Sequence, residues 1–216
     1  MDARVPTAAR VDPPRGAADT ACPADWVCAL IEARQTILPK RLAEPGPDAA
    51  QLQQIFSAAA AAPDHGERMP WRFVLIPRST RERLAQVFVR SLLQRDPAAT
   101  AEQQARASEK AHRAPTLVLA VAGLSRGADD EIPDHERLVS AGCAIQNMLL
   151  AATAMGFGSA LTSGKAMSAP ALRALFSLRD HEQALCFISI GTAVARKPRR
   201  KRPDPADYVS VLEPIQ

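Results

Sequence analysis

The chain is short of the residue types from which most self-sufficient active sites are built. Its 216 residues hold only four cysteines and four histidines. Cys22, Cys28, Cys143 and Cys186 have no CxxC spacing, and three of them sit in or beside apolar sequence. That points to buried free thiols rather than a zinc site or a disulfide framework. His65, His112, His135 and His181 form no HxxxH pair that would present two imidazoles on one helix face to a metal. Aromatics are scarce as well, with two Trp, one Tyr and six Phe, and no RRM, zinc-finger or helix-turn-helix signature accompanies them. No apolar run approaches the roughly eighteen residues of a membrane span, and residues 1–24 lack the apolar centre of a signal peptide. A cytoplasmic protein without membrane or nucleic-acid partners is expected. Also missing are GxGxxG, a Walker loop, GxSxG and any paired-carboxylate arrangement. Where no nucleophile, acid and base can be assembled, either the protein is not an enzyme or a cofactor carries the chemistry.

What is present suits a single globular domain, since 47% hydrophobic and 23% charged residues are ordinary values for a chain this long. The formal net charge of +4 is local: six of the seven residues 196–202 are basic, and the remainder of the chain carries −2. This reads as a solvated arm at 196–216, with room for one member to touch an anion. Residues 1–24, rich in Ala, Pro, Arg and Asp without periodicity, read as a disordered leader, leaving residues 25–216 as the folded domain.

Along the chain, apolar positions at helical spacing predict a helix over 26–34, and a second from a cap at Asp48 through Leu52, Ile55, Phe56 and Ala59. After a strand at 72–76, a helix with the apolar stripe Leu84, Val87, Phe88 and Leu92 places Arg81, Glu82, Arg83 and Arg90 on its wet side. A polar helix follows at 99–112, opened by a capping box at Thr100 and Gln103, and the two together read as a cover. Residues 115–122 form a continuous apolar run, the pattern of a strand buried on both faces. The longest helix, 134–155, spans about 33 Å at 1.5 Å per residue and is apolar nearly all round from Ala141. Part of its surface is therefore expected to face a second subunit. A short strand follows Gly156, then a helix opening at Pro170 and a last strand at 183–191. This alternation predicts an α/β or α+β layered domain.

The stretch 58–73, AAAAAPDHGERMPWRF, concentrates local instructions. Pro63 ends a helix of small residues, Asp64, His65 and Gly66 form a turn, and Pro70-Trp71 stiffens the entry to the next strand. Polar groups are thereby held on a short, stiff loop.

Together with Arg34-Gln35-Thr36, Gly156-Phe157-Gly158, the Leu161-Thr162-Ser163-Gly164 loop and Gly191-Thr192, this stretch resembles, in order, the small single-domain NAD(P)H nitroreductases of the flavin-dependent nitroreductase family. The resemblance covers about residues 26–212. It implies a three-layer α/β/α fold of the α+β class, with a central mixed sheet flanked by helices. It also implies an intertwined homodimer with FMN bound noncovalently at the subunit interface.

Carried over by position, the family's phosphate-binding triplet falls on Arg34, Gln35 and Thr36. A guanidinium and a hydroxyl suit an anion, whereas Gln35 supplies no charge. His65 falls where the family touches FMN from the other subunit, and the family's second contact there corresponds to Ala61. Leu161, Thr162, Ser163 and Gly164 match the segment along the flavin ring, with a backbone N–H near Ser163 facing the reactive N5, a role that needs no particular side chain. Lys201 or Arg202 is placed to reach the phosphate. No side chain is assigned as catalytic, because the flavin carries the chemistry. The implied activity is ping-pong hydride transfer from NAD(P)H to a flat acceptor such as a nitroaromatic or a quinone. Flavin storage or sensing without turnover, and flavin fragmentation or dehalogenation on the same fold, remain alternatives.

Overall fold

Strand β3 (Thr116–Gly123) lies in the middle of the protein, and seven of its eight residues are buried. In the computed structural model, which describes residues 22–125, 127, 131–196, 198 and 201–212, it pairs with β2 (Trp71–Leu75) on one side and β5 (Glu182–Ala193) on the other. β4 (Gly158–Thr162) runs along the far side of β5, and the two-residue β1 (Leu42–Ala43) pairs with its last residues, Thr192 and Ala193. Every pairing between these strands is antiparallel, and the expected mixed character comes down to one isolated parallel bridge, Thr36 to Ser159.

Side-chain alternation along β3 divides the core in two. Val118, Ala120 and Ala122 pack with α2 (Ala49–Ala59) and α5 (Asp134–Ala154), while Leu117, Leu119 and Val121 pack with α3 (Arg81–Arg95) and α6 (Pro170–Leu175). The result is the three-layer α/β/α arrangement. Strand β5 switches sides once. Ala120 faces Cys186 but Val121 faces Ala184, so Leu185 is an extra residue, a β-bulge, and Ala184 and Cys186 belong to opposite cores. Farther along, β5 runs hard against Pro115: a Cβ on Gly191 would stand 2.7 Å from its Cδ, so glycine is required there.

Helix starts follow the sequence signals. Asp48 and Gln51 close a capping box on α2, and Thr100 and Gln103 close another on α4 (Ala101–Glu109). α2 ends at Ala59, but tight turns continue to Ala62, immediately before Pro63. α1 (Pro23–Ala33) starts with Pro23 at its first position, just inside the stretch expected as a leader; residues 1–21 of that leader lie outside the described residues. So do Lys197, Arg199 and Arg200 of the basic arm.

One side chain is placed opposite to expectation. Arg81 is not on the wet side of α3 but 2% exposed, donating to the carbonyls of Ala114 and Pro115, the latter at 2.7 Å, and at 3.4 Å to Ile76. It sits in the first turn of α3, where the ends of β2 and of the segment entering β3 leave carbonyls without ladder partners. Burial lowers its pKa, although a guanidinium stays charged. A second buried charge is paired. Glu182 accepts two parallel bonds from Arg72, at 2.7 and 2.9 Å, and one from the backbone N–H of Arg179. The Arg72 hydrogen bond is the main reason its carboxyl titrates at about 2.

α5 is buried along most of its length, yet Leu138 and Val139 are exposed. α1 has no buried residue at all, although it carries Trp26, Val27 and Ile31. Residues 201–212 are exposed throughout.

Candidate functional site

Arg34 caps the C-terminus of α1. Its N–H still bonds Leu30 at 3.1 Å while its ψ of 120° turns the chain out of the helix. The segment is then pinned to the sheet edge by the Thr36–Ser159 bridge and by the Ile37 N–H donating to the Ser159 carbonyl at 2.9 Å. This fixes Arg34 and Thr36 beside β4 and the middle of α5. Between them lies a cavity of about 610 Å³ whose lining includes Arg34, Thr36, Gln146, Leu149, Leu161 and Arg202. Arg202 reaches back to donate to the Arg34 carbonyl at 3.3 Å, so the described end of the basic arm folds over the same opening. Glu32 also lines it.

Ser159 supplies the observation that tests whether a ligand belongs here. It is 1% exposed, it lines this cavity, and its Oγ has no hydrogen-bond partner. Buried hydroxyls are nearly always bonded, so an orphan beside two guanidinium groups and a second hydroxyl fits a site completed by an acceptor-rich ligand. A phosphate or a polyhydroxylated chain has the right chemistry.

The Leu161–Gly164 segment is shared between two cavities. Leu161 faces the first, and Thr162, next along β4 and so on the opposite face, lines a second cavity of about 620 Å³ together with Ser163 and Gly164. Beyond Thr162 the strand ends, so the N–H groups of Ser163 and Gly164 lie past the named strand. A Cβ on Gly164 would meet no atom within 4 Å; any close approach this glycine permits is to something outside this chain. The second cavity lies under the α3–α4 pair, the predicted cover.

Two predicted residues are not brought into either cavity. Gln35 lines neither. His65 sits on the 64–69 loop, 66% exposed at its side chain, with Nδ1 2.7 Å from Glu136 in the first turn of α5. Gly66, Glu67 and Met69 all have positive φ, and Asp64 holds the loop by accepting from the Met69 N–H at 2.6 Å. Glu136 and Gln146 are ten residues apart on α5, roughly 15 Å, so within one chain His65 is remote from Arg34.

Ser159, Gln146 and Tyr208 line the first cavity without having been singled out in the sequence. Nothing marks them there, because each is defined by a neighbour distant along the chain. The cationic lining of the second cavity did leave a signal: Arg106, Lys110 and Arg113 recur at helical spacing.

Among the described residues no cluster of His, Cys, Asp and Glu could hold a metal, and no helix is long and apolar enough to cross a membrane. Similarity to known proteins agrees with the geometry. A Haemophilus influenzae protein whose name makes it a candidate NAD(P)H nitroreductase is 34% identical over 174 residues, covering 80% of this chain and 93% of that one. Among solved structures, a nitroreductase-like family protein from Bacillus cereus superposes with a TM-score of 0.72 at 18% identity, over 87% of this chain and 96% of that one. The FMN-dependent nitroreductase of Mycobacterium smegmatis, crystallised with NADPH, gives a TM-score of 0.65 at 17% identity, over 88% and 99%. Residues 31–192 match the sequence profile of the Nitroreductase family, and the chain belongs to that family.

Proposed function

We propose that this protein is an FMN-dependent NAD(P)H oxidoreductase, a nitroreductase or quinone reductase, working as a homodimer. The observation that carries the reading is the first cavity, where Arg34, Thr36, Arg202 and the partnerless Ser159 hydroxyl converge. Arg34 and Arg202 would hold the phosphate, Thr36 and Ser159 would bond phosphate or ribityl oxygens, and Leu161 would offer its apolar face to the ring. When bound, FMN supplies a two-electron carrier, so that NAD(P)H and a proton convert a quinone to its hydroquinone, or a nitro group to nitroso and water. This chain's part is positioning. The N–H groups at Ser163 and Gly164 are its donors for negative charge developing at the ring edge, and Gly164 keeps side chains out of the way. The homodimer is supported by α1, an apolar helix with nothing buried, and by Leu138 and Val139 on α5. His65 would serve the partner's cofactor, consistent with its distance from Arg34 in its own chain.

Purified protein should be yellow, carry about one FMN per chain, and bleach anaerobically on addition of NADH or NADPH. Arg34→Ala should weaken FMN roughly ten- to hundredfold, the range for charge-assisted hydrogen bonds, and truncation after Pro198 should weaken it less. Colourless protein that ignores added FMN ends the flavin reading. Bound flavin that neither nucleotide reduces would favour storage over turnover.

A further inference from the structure

The second cavity is lined by six cations, Lys40, Arg95, Arg106, Lys110, Arg113 and Lys165, and by no carboxylate. Two of the six are compensated from outside the lining: Arg106 pairs with Glu102, and Arg113 with Glu109 at 3.0 Å. Among the described residues Arg95 donates only to the neutral Ser91 hydroxyl, at 2.8 Å. Lys40, Lys110 and Lys165 have no ion pair among the described residues, so four of the six cations, from four segments, line one space without a direct salt bridge. Glu109, outside the lining, has its carboxyl lowered chiefly by its hydrogen bond to Arg113 and to a lesser degree by the charge of Lys40, which it partly balances. Like charges gathered around a cavity repel one another and are retained at a cost in stability. Beneath them the floor is apolar, with Phe88, Leu92, Leu117 and Phe187. The lining of this cavity includes Thr162, Ser163 and Gly164, the edge assigned above to the reacting ring, and Leu161, one residue earlier on β4, lines the first cavity.

We propose that this cavity takes the anionic group of an aromatic electron acceptor, so that the protein's preferred substrates are aromatic acids: nitro- or quinone-bearing rings with a carboxylate or phosphate. The proposal rests on the redox reading of the neighbouring site. An apolar floor under cations, within about 620 Å³, reads ring and charge in one compact ligand. A dinucleotide carries its charges well away from its reacting ring, which suits this arrangement less.

The test compares 4-nitrobenzoate with its neutral near-isostere 4-nitrobenzamide, on wild-type holoenzyme and on the double variant Lys110→Gln/Lys165→Gln. Both lysines are exposed, so the fold should persist, and Lys110→Arg/Lys165→Arg should restore wild-type behaviour. By calorimetry the Gln variant should bind nitrobenzoate about tenfold more weakly with nitrobenzamide unchanged, and the ratio of their kcat/KM values should fall in parallel. The wild-type preference for the acid should also shrink at high salt. An unchanged ratio in the Gln variant overturns the proposal. So does a loss that appears instead in NADPH relative to NADH, which would assign the cations to the dinucleotide, or in FMN content, which would assign them to the cofactor phosphate. Flavin content and bleaching are measured on the same samples. Should they fail in wild type, the redox reading falls, while the calorimetric comparison still decides what the cavity binds.

Discussion

Replacing Arg81 by Met should destabilise the protein far more than its sequence context suggests. The substitution keeps most of the side-chain volume and removes the guanidinium, leaving the carbonyls of Ala114 and Pro115 without their donor and Ile76 without a weaker third bond. Hydrogen bonds to charged groups contribute about 1.5–3 kcal/mol each, so two close bonds give roughly 3–6 kcal/mol. Removing a buried charge offsets part of that, since the guanidinium no longer has to be desolvated. The net expectation is a loss of about 2–4 kcal/mol, a large share of the roughly 5–15 kcal/mol available to a domain. Urea unfolding followed by far-ultraviolet circular dichroism, at one chain concentration for all variants, measures it. Arg81→Lys should fall between wild type and Met, because an ammonium cannot match the fork that reaches acceptors on two segments at once. Were Arg81→Met within about 0.5 kcal/mol of wild type, the usual range for surface changes, the anchoring role would be wrong.

Glu182 predicts a pH effect of definite sign. Its folded pKa of about 2 lies below the ordinary 4.5, so its contribution is fully present above that value and is lost as pH falls from about 4.5 towards 2. Glu182→Gln should be less stable at neutral pH and flatten the stability profile across that window, and an unaltered slope in denaturation series would contradict the Arg72 pairing as its source. The proposed shared site predicts complementation: a verified mixed dimer of Arg34→Ala and His65→Ala chains, each nearly inactive but dimeric alone, should regain activity because one of its two sites would be whole. Recovery no greater than the average of the parents would mean that each site draws both residues from a single chain.

The layers of the fold were legible because periodicity reports burial directly. The apolar run at 115–122 became the buried β3, the cap at Asp48 and the capping box at Thr100 both formed, and the near-continuous apolar surface of α5 marked it as a helix packed into the core. Arg81 was misplaced by residue type: helical spacing sets it three, four and seven residues before Leu84, Ala85 and Phe88, on the apolar stripe, and the carbonyls left at neighbouring strand ends are what satisfy its charge there. The same limit applies to the candidate site. Arg34, Thr36, Leu161 and Arg202 could be placed by motif order and do converge on one cavity. Ser159 could not, since what distinguishes it is an unmet hydrogen bond, a property of the fold rather than of the residue. Four cations from four segments around the second cavity are likewise a fact of tertiary placement, although Arg106, Lys110 and Arg113 hinted at it.

The extra residue at Leu185 makes the length of β5 a constraint on electrostatics. From Cys186 onward the even-numbered positions face the α2–α5 core, and were the strand regular, Glu182 would follow them into it. The bulge instead turns Glu182 to the face shared by Val74 and Val121, where Arg72 projects from the strand beyond β3. Deleting Leu185 would restore a regular ladder and leave Glu182 on its present face, but inserting a single residue between the bulge and Glu182 would act as a charge-burial mutation without touching a charged side chain. It would drive a carboxylate toward Ile55 and Met148 and strand a guanidinium on the opposite face. Insertions and deletions between the bulge and Glu182 should be tolerated only in compensating pairs, whatever residues they carry.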